Sequence, residues 1–323
     1  MSTANSSRRP GPRGAEYLLE AGPYRALITE VGATLASLTY DGRPLVHEGP
    51  RNQPMMHHRG AIIAPWPNRV GDGRYTVEGT TYQLPLTEPA RSNALHGLVS
   101  FQSYELLALE PLPSADGVAS AQLRTMLYAT PSYPFTLAIT VTYELHPLSG
   151  LRTTVHAENL SQRGTPAAPY GCCPHPYLVA GEDKLEEWTL QFGAHRVLEV
   201  REDRLLPTGM LSVDPGTRFD FKDGKVIGDM FLDHALTDLV RDGDGIARVR
   251  LTSRLGTGVE IAFDRKLPWV QIHTADRPEP EWNRKGLAVE PMTCPPDAFN
   301  SGTDLVRLSP GQSHEVSWTI KAL

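Results

Sequence analysis

Hydrophobic and polar residues alternate along much of the chain, a pattern typical of strands with one buried face. Between Phe135 and Leu145 every second residue is apolar, and the residues between them are Thr, Ala and Glu. Residues 151–158 repeat this alternation, and the intervening His-Pro-Leu-Ser-Gly at 146–150 is typical of a turn, so the two stretches predict a long hairpin. Similar patterns predict further strands at residues 24–30, 34–40, 74–77, 81–84, 104–110, 121–129, 188–192, 195–200, 247–251, 258–263, 269–274 and 316–321.

The segments between these stretches favour an all-β fold. The chain has 28 glycines and 28 prolines spread along its length, which leaves little room for long helices. No run of strand–helix–strand units is visible, so a parallel sheet is not expected. Many strands joined by hairpin turns are typical of antiparallel sheets packed face to face. We predict a single large antiparallel β-sandwich over residues 16–323, after a disordered leader over residues 1–15.

Charge and cysteine content narrow the class of protein. The 323 residues include 31 Lys and Arg against 37 Asp and Glu, a formal net charge of -6, which disfavours nucleic acid as a partner. No stretch approaches the ~20 apolar residues of a membrane helix, and no apolar segment follows the arginines of the leader as in a secretory signal. Three cysteines without CxxC spacing predict reduced thiols. We predict a cytoplasmic protein, monomeric or homodimeric, that binds neither nucleic acid nor membrane.

Common motifs for nucleotide, phosphate and metal sites are missing. The sequence has no GxGxxG, P-loop, HExxH or GxSxG pattern. His57 and His58 are adjacent, and adjacent strand residues point to opposite faces, so these two are not expected to share an ion. The sequence therefore predicts no metal site.

Polar residues and prolines interrupt the strand patterns in a few segments, where binding groups tend to lie on a rigid sandwich. In Pro-Trp-Pro-Asn-Arg at 65–69, the guanidinium of Arg69 offers a fork of donors to hydroxyl or carboxylate oxygens, unless it is a solvated surface arginine. In Leu-His-Gly at 95–97, the glycine lets His96 approach a ligand, unless the histidine belongs to the core or to a turn.

Two further segments hold candidate acid–base groups, and a third holds a candidate acceptor. His175 lies between two prolines that restrict its backbone, as proton transfer favours, although a structural turn would look the same. Glu290 ends the apolar strand that begins at Leu287, where a carboxylate is costly unless it is paired or functional. Asp233 is predicted in a loop, 228–235, either as an acceptor for hydroxyls or as a solvated acid.

Taken in order, these segments resemble the aldose 1-epimerase family, the galactose mutarotase-like proteins. The similar motifs are Asn-Arg at 68–69, Leu-His-Gly at 95–97, His-Pro-Tyr at 175–177, Leu-Asp-His at 232–234 and Glu-Pro-Met-Thr at 290–293. The resemblance runs from about residue 20 to the C-terminus. It implies a supersandwich with a sugar cleft on one sheet, interconversion of the α and β anomers of a free aldohexose, and no need for a cofactor or metal.

The resemblance also implies roles for individual residues. Glu290 matches the general base, His175 the general acid, and His96 a second histidine near the ring oxygen of the sugar. The residues that match positions in or near the sugar-binding cleft are Arg69, Asp233, Asn68, Trp269 and Gln271. We expect partial burial to raise the pKa of Glu290 and neighbouring groups to keep His175 protonated.

Other functions stay open on the sequence alone. The same scaffold can serve as a non-catalytic carbohydrate-binding or regulatory module. The substrate can be a hexose 6-phosphate if cations such as Arg59, Arg91 or Arg277 lie at the rim of the cleft. Glycoside hydrolysis needs two carboxylates facing one bond, whereas the sequence offers a Glu–His pair with Asp233 as a possible partner.

Overall fold

The computed structural model describes residues 11–114 and 117–323. Residues 1–10 of the predicted leader lie outside the described residues, so a disordered leader stays a prediction there. One of the residues that follow is held in place. Arg13 is buried, and its guanidinium donates hydrogen bonds to the carbonyl oxygens of Gln53 and Pro50 at 3.1 and 2.6 Å.

The described residues are mainly strands. In chain order these are β1 (Glu16–Ala21), β2 (Tyr24–Thr29), β3 (Thr34–Tyr40), β4 (Arg43–Pro44), β5 (Ile62–Ile63), β6 (Arg69–Gly71), β7 (Arg74–Val77), β8 (Thr80–Gln83), β9 (Asn93–Leu95), β10 (Glu105–Glu110), β11 (Ala119–Leu127), β12 (Leu137–His146), β13 (Gly150–Asn159), β14 (Ala168–Tyr170), β15 (Cys173–Pro174), β16 (Tyr177–Leu178), β17 (Thr189–Phe192), β18 (Ala194–Val200), β19 (Pro207–Ser212), β20 (Phe221–Val226), β21 (Asp233–Leu239), β22 (Ala247–Thr252), β23 (Gly258–Phe263), β24 (Trp269–His273), β25 (Leu287–Met292), β26 (Val306–Leu308) and β27 (Ser313–Ala322). Pro89–Arg91 and Leu185–Glu187 are short 3-10 helices, and Ala298–Ser301 is the helix α1. In this described part of the chain no helix has the length and apolar character needed to span a bilayer.

The strands form antiparallel sheets, which confirms the predicted all-β fold. The largest sheet has the order β10-β11-β12-β13-β27-β23-β22-β17-β20, and a second has the order β16-β25-β24-β21-β18-β19. A third sheet, β1-β2-β3-β4, and several two-stranded ribbons complete the described structure. The predicted long hairpin is β12 and β13, whose register places Val141 opposite Val155. One cluster of buried apolar side chains includes residues of all three larger sheets and forms the core.

Two strand predictions near the candidate residues are wrong. Asp233 does not lie in a loop but begins β21. Glu290 does not end a strand, because β25 continues through Pro291 to Met292. The neighbouring strand β16 pairs with β25 only at residues 287–288. Pro291, which has no backbone N–H to donate, therefore interrupts no hydrogen bonds between these two strands.

The alternation of β25 gives the second sheet two different faces. Leu287 and Val289 point into the main core. Met292 belongs to a small separate apolar cluster on the opposite face, and Glu290 shares that face because side chains alternate along a strand. This outer face, rather than the interior of the sandwich, therefore carries the candidate carboxylate.

Candidate active site

Three neighbouring strands, β21, β24 and β25, supply the floor of the candidate site. Their antiparallel register places Asp233 opposite His273 and places Gln271 opposite Glu290. Because every second residue of a strand points to the same side, these four side chains share the outer face of the sheet. The sheet thus brings together acids and a histidine that are far apart in the sequence.

The wall of the site is built by the ribbon of β6 and β9, where Arg69 pairs with Leu95. The amide of His96 donates to the carbonyl oxygen of Asn68 at 2.9 Å, and both residues have left-handed backbones, with φ of 59° and 55°. Gly97 follows with φ of 67°, and a Cβ atom there would lie 2.1 Å from the carbonyl oxygen of Ala64. Only glycine fits this approach, which fixes the direction of the His96 side chain.

An imidazole and a carboxylate meet where the wall reaches the floor. Nε2 of His175 lies 3.3 Å from Oε1 of Glu290, and the two side chains are only 4% and 2% exposed. The ring of His96 stands edge-on to the ring of His175, with centroids 4.9 Å apart. A sugar at this point would find a proton acceptor and a proton donor side by side.

Burial shifts the acid–base properties of both groups toward their neutral forms. Burial raises the pKa of Glu290 well above its ordinary value, and the nearby Asp233 adds to this shift, while Arg69 opposes it. Burial also lowers the pKa of His175 well below its ordinary value, assisted by the charges of His58 and His273. The expectation for Glu290 is confirmed, whereas the expectation that neighbours keep His175 protonated is wrong, because His58 and His273 are cationic when charged.

Arg69 is held rigidly beside the acid–base pair. Its Nε and Nη2 atoms donate to the two carboxylate oxygens of Glu88 at 2.8 and 3.0 Å, and its Nη1 donates to Oδ1 of Asn68 at 3.2 Å. Nη2 also lies 3.9 Å from Oδ2 of Asp233. A two-point contact of this kind fixes the plane of a guanidinium and orients its N–H groups for recognition of ligand oxygens.

Asp233 is kept ionised by its surroundings. Gln271 donates a 2.6 Å hydrogen bond from Nε2 to Oδ1 of Asp233, and Nδ1 of His273 lies 3.9 Å from the same oxygen. Burial by itself raises the pKa of Asp233, but His273 and Arg69 outweigh it, so this pKa lies below its ordinary value. An ionised carboxylate is an acceptor for hydroxyl groups, which suits the predicted role.

Three of these side chains lie close enough together to be considered as metal ligands. One ligand atom each of His96, His175 and Glu290 lies within 4.8 Å of the others, so the donor set is one that zinc accepts. Histidines that bind metal normally give their other ring N–H to an acceptor. Nδ1 of both His96 and His175 is instead buried without a hydrogen-bond partner among the described residues. The residues therefore lack the support of a resident metal ion, and a metal-free site stays a prediction.

The candidate residues converge on one cleft of about 150 Å³. Its lining residues are Asn68, Arg69, Glu88, Arg91, Leu95, His96, His175, Leu205, Phe231, Asp233, His273, Asp276, Arg277 and Glu290. Of the other predicted residues, Gln271 reaches the cleft through its hydrogen bond to Asp233. Trp269 does not line it: the ring is buried, and its Nε1 donates to Asp304 at 2.7 Å in a neighbouring groove.

Sequence reasoning missed some lining residues. His273 lies two residues beyond Gln271 on a predicted strand, so the period of two could have found it. Glu88 and Phe231 carried no such signal. Glu88 lines the cleft and holds Arg69, and Phe231 lies at the cleft with 47% of its surface exposed.

Known proteins share this architecture. A family model described as Aldose 1-epimerase matches residues 16–321. The chain is 34% identical to the uncharacterized protein YihR of Escherichia coli K12 over 308 residues, which cover 95% of this chain and 93% of that protein. It is 29% identical to the galactose mutarotase of Rattus norvegicus over 167 residues, which cover 50% of this chain and 45% of the rat protein.

A solved structure supports the fold. The galactose mutarotase-like protein of Clostridium acetobutylicum superimposes with a TM-score of 0.82, covering 95% of this chain and 94% of its own. The sequence identity is 16%, so this likeness bears on the fold alone. It agrees with the antiparallel sandwich described above.

Proposed function

Because the chain belongs to the aldose 1-epimerase family, we propose that it interconverts the α and β anomers of a free aldohexose. The observation that supports this most directly is the 3.3 Å approach of His175 Nε2 to Glu290 Oε1 in a cleft that also holds Arg69 and Asp233. An acid, a base and groups suited to hydroxyls thus lie within reach of one small ring.

The proposed reaction needs two proton transfers. Glu290 accepts the proton of the anomeric hydroxyl, and His175 donates a proton to the ring oxygen, so the bond between C1 and the ring oxygen breaks. The aldehyde carbon then rotates by about half a turn, and the transfers run in reverse to close the ring on its other face. The reactive form of the pair is carboxylate and imidazolium, the arrangement that burial disfavours, and it becomes carboxylic acid and neutral imidazole in the open-chain state.

The shifted pKa values suit this cycle. In water, a carboxylate next to an imidazolium is the favoured arrangement, because the ordinary pKa of histidine exceeds that of glutamate by about 2 units. Burial raises the pKa of Glu290 and lowers that of His175. The free energies of the two arrangements, carboxylate with imidazolium and carboxylic acid with neutral imidazole, therefore lie closer together. Neither the closed-ring nor the open-chain state is then strongly favoured over the other.

The remaining groups orient the sugar in this proposal. Nδ1 of His96 is buried, which leaves Nε2 to reach the cleft as a hydrogen-bonding atom near the ring oxygen. Arg69 and Asp233 bind hydroxyls away from C1. A non-catalytic module has no need of a buried Glu–His pair, since keeping these groups away from water costs stability without aiding affinity.

The proposal is tested by following the optical rotation of freshly dissolved α-glucose, α-galactose and xylose. We expect the protein to accelerate the change for at least one sugar, and we expect Glu290→Gln to lower the rate at least about 100-fold, the lower end of what proton transfer contributes. An unchanged unfolding curve is the control for the variant. A variant as fast as the wild type would exclude Glu290 as the base, and binding without acceleration would favour a carbohydrate-binding module.

A second candidate substrate is a hexose that carries an anionic group, and the state of Arg277 favours it. Arg69 and Arg91 both contact the carboxylate of Glu88. Arg277 also lines the cleft, but no carboxylate lies within ion-pair distance of it among the described residues, and its Nε is buried without a hydrogen-bond partner. Its Nη2 lies 3.4 Å from Nε2 of His273, which is no anion.

Another uncompensated cation lies close by. The guanidinium carbon of Arg59 lies over the rings of Tyr177 and Trp282, 4.3 and 4.7 Å from their centroids, and the residue is 5% exposed. None of its three nitrogens has a hydrogen-bond partner among the described residues. Positive charge without a counter-charge favours an anion. Because mutarotation needs a free hydroxyl at C1 and a free ring oxygen, a 6-phosphate is the simplest such substrate.

This candidate is tested with glucose and glucose 6-phosphate in parallel. If Arg277 binds the phosphate, Arg277→Gln lowers kcat/KM for the phosphorylated sugar about 10- to 100-fold, the value of a hydrogen bond to a charged group. The neutral sugar changes only a few-fold. Arg91→Gln, which removes a rim arginine already paired with Glu88, is the matched control. Equal losses for both sugars would contradict a phosphate-binding role.

A further inference from the structure

Two adjacent cysteines behind the candidate site point in opposite directions. Cys172 and Cys173 are both fully buried and neither forms a disulfide. Cys172 belongs to the main core of the sandwich, whereas Cys173, the first residue of β15, belongs to the small apolar cluster on the outer face of the second sheet. The strand places one thiol in the interior and the other beneath the cleft.

The thiol of Cys173 contacts the candidate base. Its Sγ lies 3.8 Å from Oε2 of Glu290 and is oriented to donate a hydrogen bond to it. The other carboxylate oxygen, Oε1, is the one that approaches His175. Among the described residues these are the only polar contacts of the Glu290 carboxylate, so its two oxygens have separate partners.

We propose, as an extension of the proposed epimerase function, that Cys173 is a positioning residue that holds Oε2 of Glu290 and thereby presents Oε1 to the sugar and to His175. The thiol does not touch the reacting atoms. It acts by fixing the rotation of the carboxylate, whose Oε2 atom has the thiol as its hydrogen-bond partner. Proton transfer depends steeply on such geometry.

The thiol is suited to this task because it stays protonated. Burial raises the pKa of Cys173 well above its ordinary value, and the neighbouring Glu290 raises it further. A permanent S–H donor stabilises the ionised form of a carboxylate and so opposes the effect of burial on Glu290. The titratable and charged groups that face Glu290 are Cys173, His175, His96, Arg69, Asp233 and Tyr177.

Removing the donor has a defined consequence. Without the thiol, the protonated form of Glu290 is favoured, so its pKa rises further. Less of the enzyme then carries the carboxylate that the first proton transfer needs. We expect the rate constant kcat to fall by about 3- to 10-fold, the size of one lost hydrogen bond, while KM stays unchanged because no sugar contact is lost.

The experiment compares Cys173→Ala with Cys172→Ala, which removes an equally buried thiol one residue away that faces the main core. The first measurement gives kcat and KM for mutarotation. The second is an infrared titration of the protonated Glu290 carboxyl, whose carbonyl band is identified by its absence from Glu290→Gln. The pH at which this band disappears reports the ionisation of Glu290. We expect Cys173→Ala alone to lower kcat and to move the Glu290 band to higher pH. Cys173→Ser, which retains a donor, restores both.

The result that overturns the proposal is an equal kcat and an equal Glu290 titration in the two alanine variants. The S–H stretching band of Cys173, identified by its absence from Cys173→Ala, gives a measurement that does not depend on activity. If the thiol donates to the Glu290 carboxylate, this band shifts in Glu290→Gln. A wild-type protein that accelerates no mutarotation would refute the proposed function instead, while the infrared bands would still decide whether Cys173 holds Glu290.

Discussion

At the scale of single residues, the sequence identified the candidate groups but not the electrostatic environment of every one. Glu290 was expected to have a raised pKa because an apolar strand surrounds it, and burial does raise it. The pKa of His175 is lowered instead, because burial is joined by His58 and His273, which come from distant parts of the chain. Which side chains face a buried histidine depends on the tertiary fold, and no local pattern contains that information.

These two shifts determine the expected pH dependence. The reactive form of the pair carries one proton. On the acidic side, activity falls when the pair gains a second proton, and this occurs below the ordinary pKa of histidine because the pKa of His175 is lowered. On the basic side, activity falls when the pair loses its last proton, and this occurs above the ordinary pKa of a carboxyl group because the pKa of Glu290 is raised. We expect a bell-shaped profile of kcat/KM, which reports the free enzyme. An acidic limb at or above the ordinary histidine pKa of about 6.5 would contradict this.

At the scale of elements, alternation predicted the long strands and the hairpin of β7 and β8 but not the short ribbon of β6 and β9. The hairpin of β12 and β13 has a strict period of two, which predicts strands and disfavours a helix. The prediction of a strand end at Glu290 is wrong, because the strand continues through Pro291 where its neighbour on one side has ended. Trp269 shares a face with Gln271 but lies too far along β24 to line the cleft.

Gly97 tests how the ribbon of β6 and β9 positions His96. We expect Gly97→Ala to cost about 2–4 kcal/mol of unfolding free energy, because it adds an atom next to the Ala64 carbonyl and strains a left-handed backbone. Gly79→Ala is the control, since Gly79 also has a positive φ but has open space around it, and it should cost about 1–2 kcal/mol. Chemical denaturation measures both. Equal losses would show that the packing at Gly97 is unimportant.

At the scale of the whole molecule, the fold explains why residues as far apart as Asn68 and Glu290 form one site. The outer face of the second sheet supplies Asp233, Gln271 and Glu290, and the ribbons packed on that face supply His96 and Arg69. The sandwich and its antiparallel order followed from the sequence pattern. The convergence of these side chains on one cleft did not follow from the pattern, because tertiary packing decides which face of a sheet the ribbons cover. Only the family resemblance pointed to that convergence.

The central claim, that Glu290 and His175 act as one proton-transferring pair, is tested most directly by a double-mutant cycle on the mutarotation rate. The variants are Glu290→Gln, His175→Asn and both together, measured with the sugar that the wild type converts fastest. If the two groups act as a unit, each single change removes nearly all the acceleration and the double variant is no slower than the slower single one. Two small losses that multiply in the double variant would contradict the account.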